Sequence, residues 1–275
     1  MSPTLASSCI LITCLSAMLV HASSVLETDL LFPLNKTYAP TEWFPVVFAF
    51  QQPKLAPLVD LDISITLRNA DNMSDIVHWP TDMTDVDWTN KTSSDPFFFY
   101  TYFAKFRAPG RWRIVWNVHW KSCNEFALFN TSMLPRAQMI TNSTGWSTWF
   151  TIADGGAPAD LVVDTARDSC PNEFAVPITI TDHTIPVPAG EEWSNGGMCA
   201  VVDPSPTPSP SPSPCQIHIS KQVVESMEAS WHTQLCGSFS PPDDCPAKKN
   251  AAQGLAVPSY FLAVLVIVRF LLVLF

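Results

Sequence analysis

The stretch Trp112-Arg-Ile-Val-Trp-Asn-Val-His-Trp120 does most to limit how this chain folds. Trp112, Ile114, Trp116, Val118 and Trp120 occupy every second position, so an extended strand puts them on one side. Arg113, Val115, Asn117 and His119 then face the other. A side with three indoles and two aliphatic residues has to be buried against another layer, whereas the second side tolerates water.

Other segments follow the same two-residue period. Leu61-Asp-Ile-Ser-Ile-Thr-Leu-Arg68 alternates strictly, with Leu61, Ile63, Ile65 and Leu67 on one face. Phe97 to Phe103 opens directly after Pro96, and Ala108-Pro-Gly110 is the turn that leads from it into the Trp strand. Val46 to Gln51, Trp146 to Ile152 and Phe174 to Ile180 are further strands. With 25 prolines and 9 glycines, a mostly helical alternative is excluded, because proline breaks helix interiors. The fold class is mainly β: an immunoglobulin-like or related antiparallel β-sandwich, although no cysteine precedes Trp116 after the leader. Asn69 to Asp95 is read as a long polar connection.

Both ends are apolar for other reasons. Met1 to Ala22 reads as a secretory signal peptide, its apolar run too short to span a bilayer and its cleavage expected after Ala22. At the other end, Asn250-Ala-Ala252, a short spacer and the apolar Tyr260 to Phe275 have the pattern of a GPI-attachment signal. Asn250 is the expected attachment residue, with Ala251 and Gly254 as rivals. Arg269 inside the tail argues against a transmembrane helix. The domain plan is therefore a signal (1–22), a sandwich (23–203), a linker (204–214), a small module (215–249) and the removed tail (250–275).

The linker reads Asp203-Pro-Ser-Pro-Thr-Pro-Ser-Pro-Ser-Pro-Ser-Pro214, which alternating proline makes extended and stiff. Beyond it, Cys215 to Ile219 is an expected strand. Ser220 to Leu235 is an expected helix, with Val223, Val224, Met227, Trp231 and Leu235 near helical spacing. A module this small needs staples, so a disulfide-bonded strand-helix unit is expected. Outside the signal there are six cysteines: Cys123, Cys170, Cys199, Cys215, Cys236 and Cys245. In an oxidising compartment they make three bridges, and Cys170–Cys199 is the first pairing expected. Sequons at Asn35, Asn72, Asn90, Asn130 and Asn142 add N-glycosylation and mark exposed positions.

Chemistry is harder to find. The chain has no GxSxG, HExxH, P-loop or GxGxxG motif, and its histidines are scattered. We therefore read it as non-catalytic. The formal charge of −10 argues against nucleic acid as a partner. Asp82, Asp85 and Asp87 suit a hard, oxygen-ligated cation such as calcium, the only cofactor considered; a solvated acidic loop is the plain alternative. Trp79, Trp88 and Trp193 are read in loops, where exposed indoles stack on sugars; the plain alternative is local packing.

Three segments carry a family resemblance: Leu31-Phe-Pro-Leu-Asn-Lys-Thr-Tyr-Ala-Pro-Thr-Glu-Trp-Phe-Pro-Val-Val-Phe-Ala-Phe50, the Trp strand from Gly110 to Cys123, and the Pro/Ser stretch with its Cys-rich tail. Together they resemble a family of fungal secreted proteins, many with a GPI signal, built on a domain of unknown function. That resemblance implies a fungal cell-surface protein and supplies no catalytic residues.

The expected function is thus a non-catalytic, GPI-anchored glycoprotein at the plasma membrane or cell wall, structural or adhesive in role. Its partners are the membrane, through the anchor, and possible wall glycans. The alternatives are a module for wall polysaccharide, calcium-assisted or not, and a hydrolase of unrecognised type. Paired carboxylates ~5–10 Å apart in a cleft favour a glycosidase. A flat Trp platform favours a lectin-like module, and a sandwich with neither favours the structural role.

Overall fold

The computed structural model describes residues 24–72, 76–79, 88, 94–104, 106–107, 109–124, 139–166, 174–191, 193, 197–205 and 210–246, with backbone alone for 76–79 and 215. Its strands are β1 (Ser24–Phe32), β2 (Thr37–Tyr38), β3 (Phe44–Gln51), β4 (Asp62–Asn69), β5 (Ile76–Trp79), β6 (Phe97–Phe103), β7 (Gly110–Cys123), β8 (Met139–Ile152), β9 (Ala175–Pro186) and β10 (Met198–Val202). They form two five-stranded sheets. Sheet A has the order β10-β9-β1-β3-β6, and sheet B the order β2-β8-β7-β4-β5. Every pairing is antiparallel except β2 with β8. The fold is therefore mainly β, as the two-residue periods require.

The Trp strand is β7, in the middle of sheet B. Trp112, Ile114, Trp116 and Val118 are buried, while Arg111 and Arg113 on the opposite side are exposed. Across the sandwich, Phe44 of β3 stacks on Phe150 of β8 with centroids 5.0 Å apart. Phe106 packs edge-on against Trp112 at 4.6 Å. Cys123 of β7 is bonded to Cys199 of β10, so one disulfide joins the two sheets. This corrects the expected Cys170–Cys199 pair. The pairing depends on which sheet each cysteine's strand joins, and separation along the chain carries no record of that.

Sheet A is buried on both faces. By register with Phe48 and Phe50, Leu30 and Thr28 of β1 face sheet B, so Glu27, Asp29, Val47 and Ala49 face away from it. Those four are buried nonetheless. Their cover comes from the end of the Pro/Ser stretch and the chain that follows it. Ser213 donates its backbone N–H to Glu27 Oε1 at 2.7 Å. The Ile219 N–H bonds Thr165 Oγ1 at 2.9 Å in the short helix α1 (Leu161–Thr165), and His218 Nδ1 donates to the Thr165 carbonyl at 2.7 Å. Ile219 and Met227 belong to the sandwich's own buried cluster.

The compact unit runs to Met227, with a second from Glu228 onward. Residues 213–227 complete the first unit against the outer face of sheet A, where Val47 and Ala49 lie beside Glu27 and Asp29. The expected strand at Cys215–Ile219 is instead a 3-10 turn, Pro214–Gln216, followed by extended chain. Pro214 is the first residue of that turn, where its fixed φ suits a helical start. The helix α2 (Lys221–Gly237) forms where expected, with Ser220 Oγ accepting from the Val223 N–H at 3.3 Å. In the second unit, Cys236 is bonded to Cys245.

Candidate functional site

Two places gather polar chemistry, and they lie on the outer faces of opposite sheets. The first is a carboxylate pair on β1. Glu27 and Asp29 are two residues apart, so they share the outer side of the strand. Gln51 lies opposite Glu27 in register, and its single amide nitrogen donates to both carboxylates, at 3.1 Å to Glu27 and 2.9 Å to Asp29. Burial comes first among the causes that push Asp29 up to about 9, followed by the charge of Glu27; the bond from Gln51 works the other way. Asp29 therefore holds its proton at neutral pH. The Pro/Ser chain passes over the pair, and a cavity of about 320 Å³ reaches Glu27, lined also by Val25, Gln51, Gln52, Asp95, Pro210, Ser211 and Ser213.

A protonated carboxyl beside a second carboxyl has the form of a general acid and its partner. A glycosidase, however, needs both groups to reach a sugar from a cleft. Here Asp29 has no exposed surface, Glu27 has 5%, and Glu27 is tied down by the Ser213 backbone. The pair joins layers rather than facing solvent.

The second place is the outer side of sheet B. Register aligns Arg68 of β4 with Arg113 of β7, and Arg113 with Trp149 of β8. Arg113 lies 5.6 Å from the Trp149 ring centre, and Arg111 4.5 Å from it. Arg113 Nη2 donates to Ser147 Oγ at 2.7 Å. Further along the same face, Asn117 Nδ2 donates to Ser64 Oγ at 3.4 Å, and His119 Nε2 lies 3.4 Å from that hydroxyl. The face thus presents guanidinium, indole, hydroxyl, amide and imidazole groups across three adjacent strands. Sequence reasoning missed Trp149 because it counted 146–152 only as a strand; alternation opposite Phe150 and Thr148, both buried, was the available signal.

A larger cavity, about 630 Å³, opens beside the Cys123–Cys199 bridge between Trp120, Ile140, Asn142, Pro177, Val202 and Asp203. Asn142 is one of the sequons, so a glycan there would occupy the opening.

The tryptophans singled out from the sequence form no shared platform. Trp88 is fully buried, edge-on to Phe50 at 5.4 Å and to Phe97 at 5.7 Å, so it offers no face to a sugar. Trp193 is half-buried and donates Nε1–H to the Pro57 carbonyl at 2.9 Å. Trp79 ends strand β5 instead of lying in a loop. Trp88 and Trp193 follow the packing alternative, because a large ring between chain segments is worth more buried than wet.

Asp82, Asp85, Asp87, Asn90, Asn130, Cys170 and Asn250 lie outside the described residues, as does the apolar tail. Asn35 and Asn72 are exposed, and Asn142 is half-buried. Among the described residues, no helix is long and apolar enough to cross a membrane. His232, Cys236 and Cys245 converge in the second unit, with His232 Nε2 3.1 Å from Asp244 Oδ2. The two sulfurs are bonded to each other, so neither is a thiolate ligand.

A family model described as a domain of unknown function, DUF7136, matches residues 21–245. No curated protein and no solved structure matches the chain.

Proposed function

Since the chain belongs to the DUF7136 family, whose description assigns no activity, we propose from its own residues that it is an extracellular, non-catalytic polysaccharide-binding glycoprotein. The outer face of sheet B is the binding surface. One observation carries the reading: Trp149 sits on the outer sheet face beside Arg111, Arg113 and Ser147, with the Asn117 and Ser64 groups further along the same face. Aromatic faces contact the C–H surfaces of sugars, and neighbouring donors and acceptors take the hydroxyls. The carboxylate pair, the alternative centre, is closed.

A leader at 1–22, sequons and a GPI-type tail with attachment at Asn250 support an extracellular surface, and the family resemblance adds a fungal cell as its setting. Phosphatidylinositol-specific phospholipase C then releases the protein from protoplasts, and recovery of a mature chain still carrying Tyr260 to Phe275 overturns the anchor. For the surface, the test is binding of the secreted protein to a panel of wall polysaccharides. We expect retention on at least one, weakened by Trp149→Ala. No retention on any polysaccharide, or retention indifferent to that change, overturns the reading.

A further inference from the structure

We propose that the ligand of the sheet B face is an acidic polysaccharide, with its carboxylates held by Arg68, Arg111 and Arg113 and its sugar rings lying along Trp149. This rests on the polysaccharide reading above and names the ligand's charge.

The chain carries 25 acidic and 15 basic residues, so a cluster of arginines is against its overall balance. Three of them meet here, all exposed. Arg68 and Arg113 stand directly opposite each other on neighbouring strands, an arrangement that repels and costs stability. Among the described residues, none of the three has an ion-pair partner; Asp71, beside them, accepts the Arg111 backbone N–H at 3.0 Å. Arg113 bonds Ser147 and lies over Trp149, but its opposition to Arg68 is itself repulsive, and an anion laid across the two relieves that repulsion.

The geometry also separates a chain-like anion from a point-like one. Strands lie ~4.8 Å apart and alternate residues ~7 Å apart, so the charges form a flat grid rather than a pocket. One phosphate fills one guanidinium fork and leaves the others unused. A uronic-acid polymer brings repeated carboxylates and apolar ring faces together, which the grid and Trp149 both use. Arg113 spends a donor on Ser147 Oγ and keeps further N–H groups. Contact with the indole likewise leaves the in-plane donors of Arg111 available.

The test uses the secreted full chain in affinity electrophoresis against polygalacturonate, a neutral β-glucan and, separately, phosphatidylserine vesicles. We expect polygalacturonate to bind in preference to the glucan and to weaken between low and high salt, since exposed charges are screened. Arg113→Gln and Arg68→Gln each weaken it about tenfold, as lost charge-assisted bonds do. Lys221→Gln, whose ammonium pairs with Glu225 within α2, changes nothing. Arg68→Gln also removes the like-charge opposition, so its melting temperature should not fall, which separates lost binding from lost folding. Equal, salt-insensitive binding of both polysaccharides, abolished by Trp149→Ala alone, keeps the polysaccharide reading and overturns the acidic ligand. Failure to bind polygalacturonate overturns the acidic ligand, and binding to vesicles with neither polysaccharide bound overturns both.

Discussion

The rings of Phe48 and Trp116 meet edge to face with centroids 5.3 Å apart, one from sheet A and the other from sheet B. Both are fully buried, so this contact is a joint through the middle of the sandwich. Trp116→Ala should cost about 3–5 kcal/mol, a large part of a typical domain's stability. His119 lies three residues on and therefore on the other face, half-buried beside Ser64. His119→Ala should cost about 1 kcal/mol or less. Urea unfolding of both variants checks the contrast, and equal losses would mean that the outer face of β7 is packed as tightly as the inner one.

Asp29 gives stability a pH dependence of definite sign. Its ordinary value of 3.8 applies to the unfolded chain, whereas the fold raises it to about 9. Between those values folding takes up a proton, so this contribution is fully present below pH 3.8 and is lost as pH rises towards 9. Asp29→Asn keeps the shape and cannot ionise. Its stability relative to the parent should improve from pH 5 to pH 8 in denaturant unfolding; a constant difference would show that Asp29 is ionised in the fold.

The two bridges should differ in what they hold. Cys123–Cys199 closes a separation of 76 residues and Cys236–Cys245 one of 9. Loop-closure entropy assigns them about 4.5 and about 2.5 kcal/mol. The Cys123→Ser/Cys199→Ser double variant should lower the main melting transition. The Cys236→Ser/Cys245→Ser variant should leave that transition in place, because its bridge belongs to the second unit. A reversed order would contradict the inter-sheet role.

Gly145 pairs with Asn117 across β7 and β8, and a side chain there would run into the Asn117 amide and come within 2.9 Å of the Trp116 carbonyl. Gly145→Ala should cost about 1–3 kcal/mol by overpacking. Adding Asn117→Ala should return part of it, leaving the backbone clash. Strict additivity of the two changes in thermal melts would refute the contact.

The strands that alternate cleanly were legible in the sequence. β4 and β7 are each buried on one face, and period two marks that condition directly, whereas β6 was read from its aromatic run after Pro96. β1 was not legible. It is buried on both faces, its row of Glu27, Thr28 and Asp29 reads as polar, and nothing local says that Gln51 and Ser213 satisfy it. The Pro/Ser run showed its stiffness but not the surface it lies on, since proline content records backbone geometry and no contact. For the candidate site, alternation identified which side of β7 faces outward. The meeting of Arg68, Arg113 and Trp149 needed the register of three strands, which only the folded sheet supplies.

The Cys123–Cys199 bond also decides how the chain bears a pull on its C-terminal end. Tension from the C-terminal end would first part Ile219 from Thr165 and Ser213 from Glu27, and then unzip Val202 from Ile180 and Ala200 from Thr184, one pair at a time. At Cys199 it reaches a covalent link to the central strand of the opposite sheet, and the zipper stops there. Beyond that point the load passes into β7, which is laced on both sides to β4 and β8 and yields only by shearing many hydrogen bonds together. A sandwich tethered by this end therefore frays at its last strand and keeps its remaining strands intact under strain.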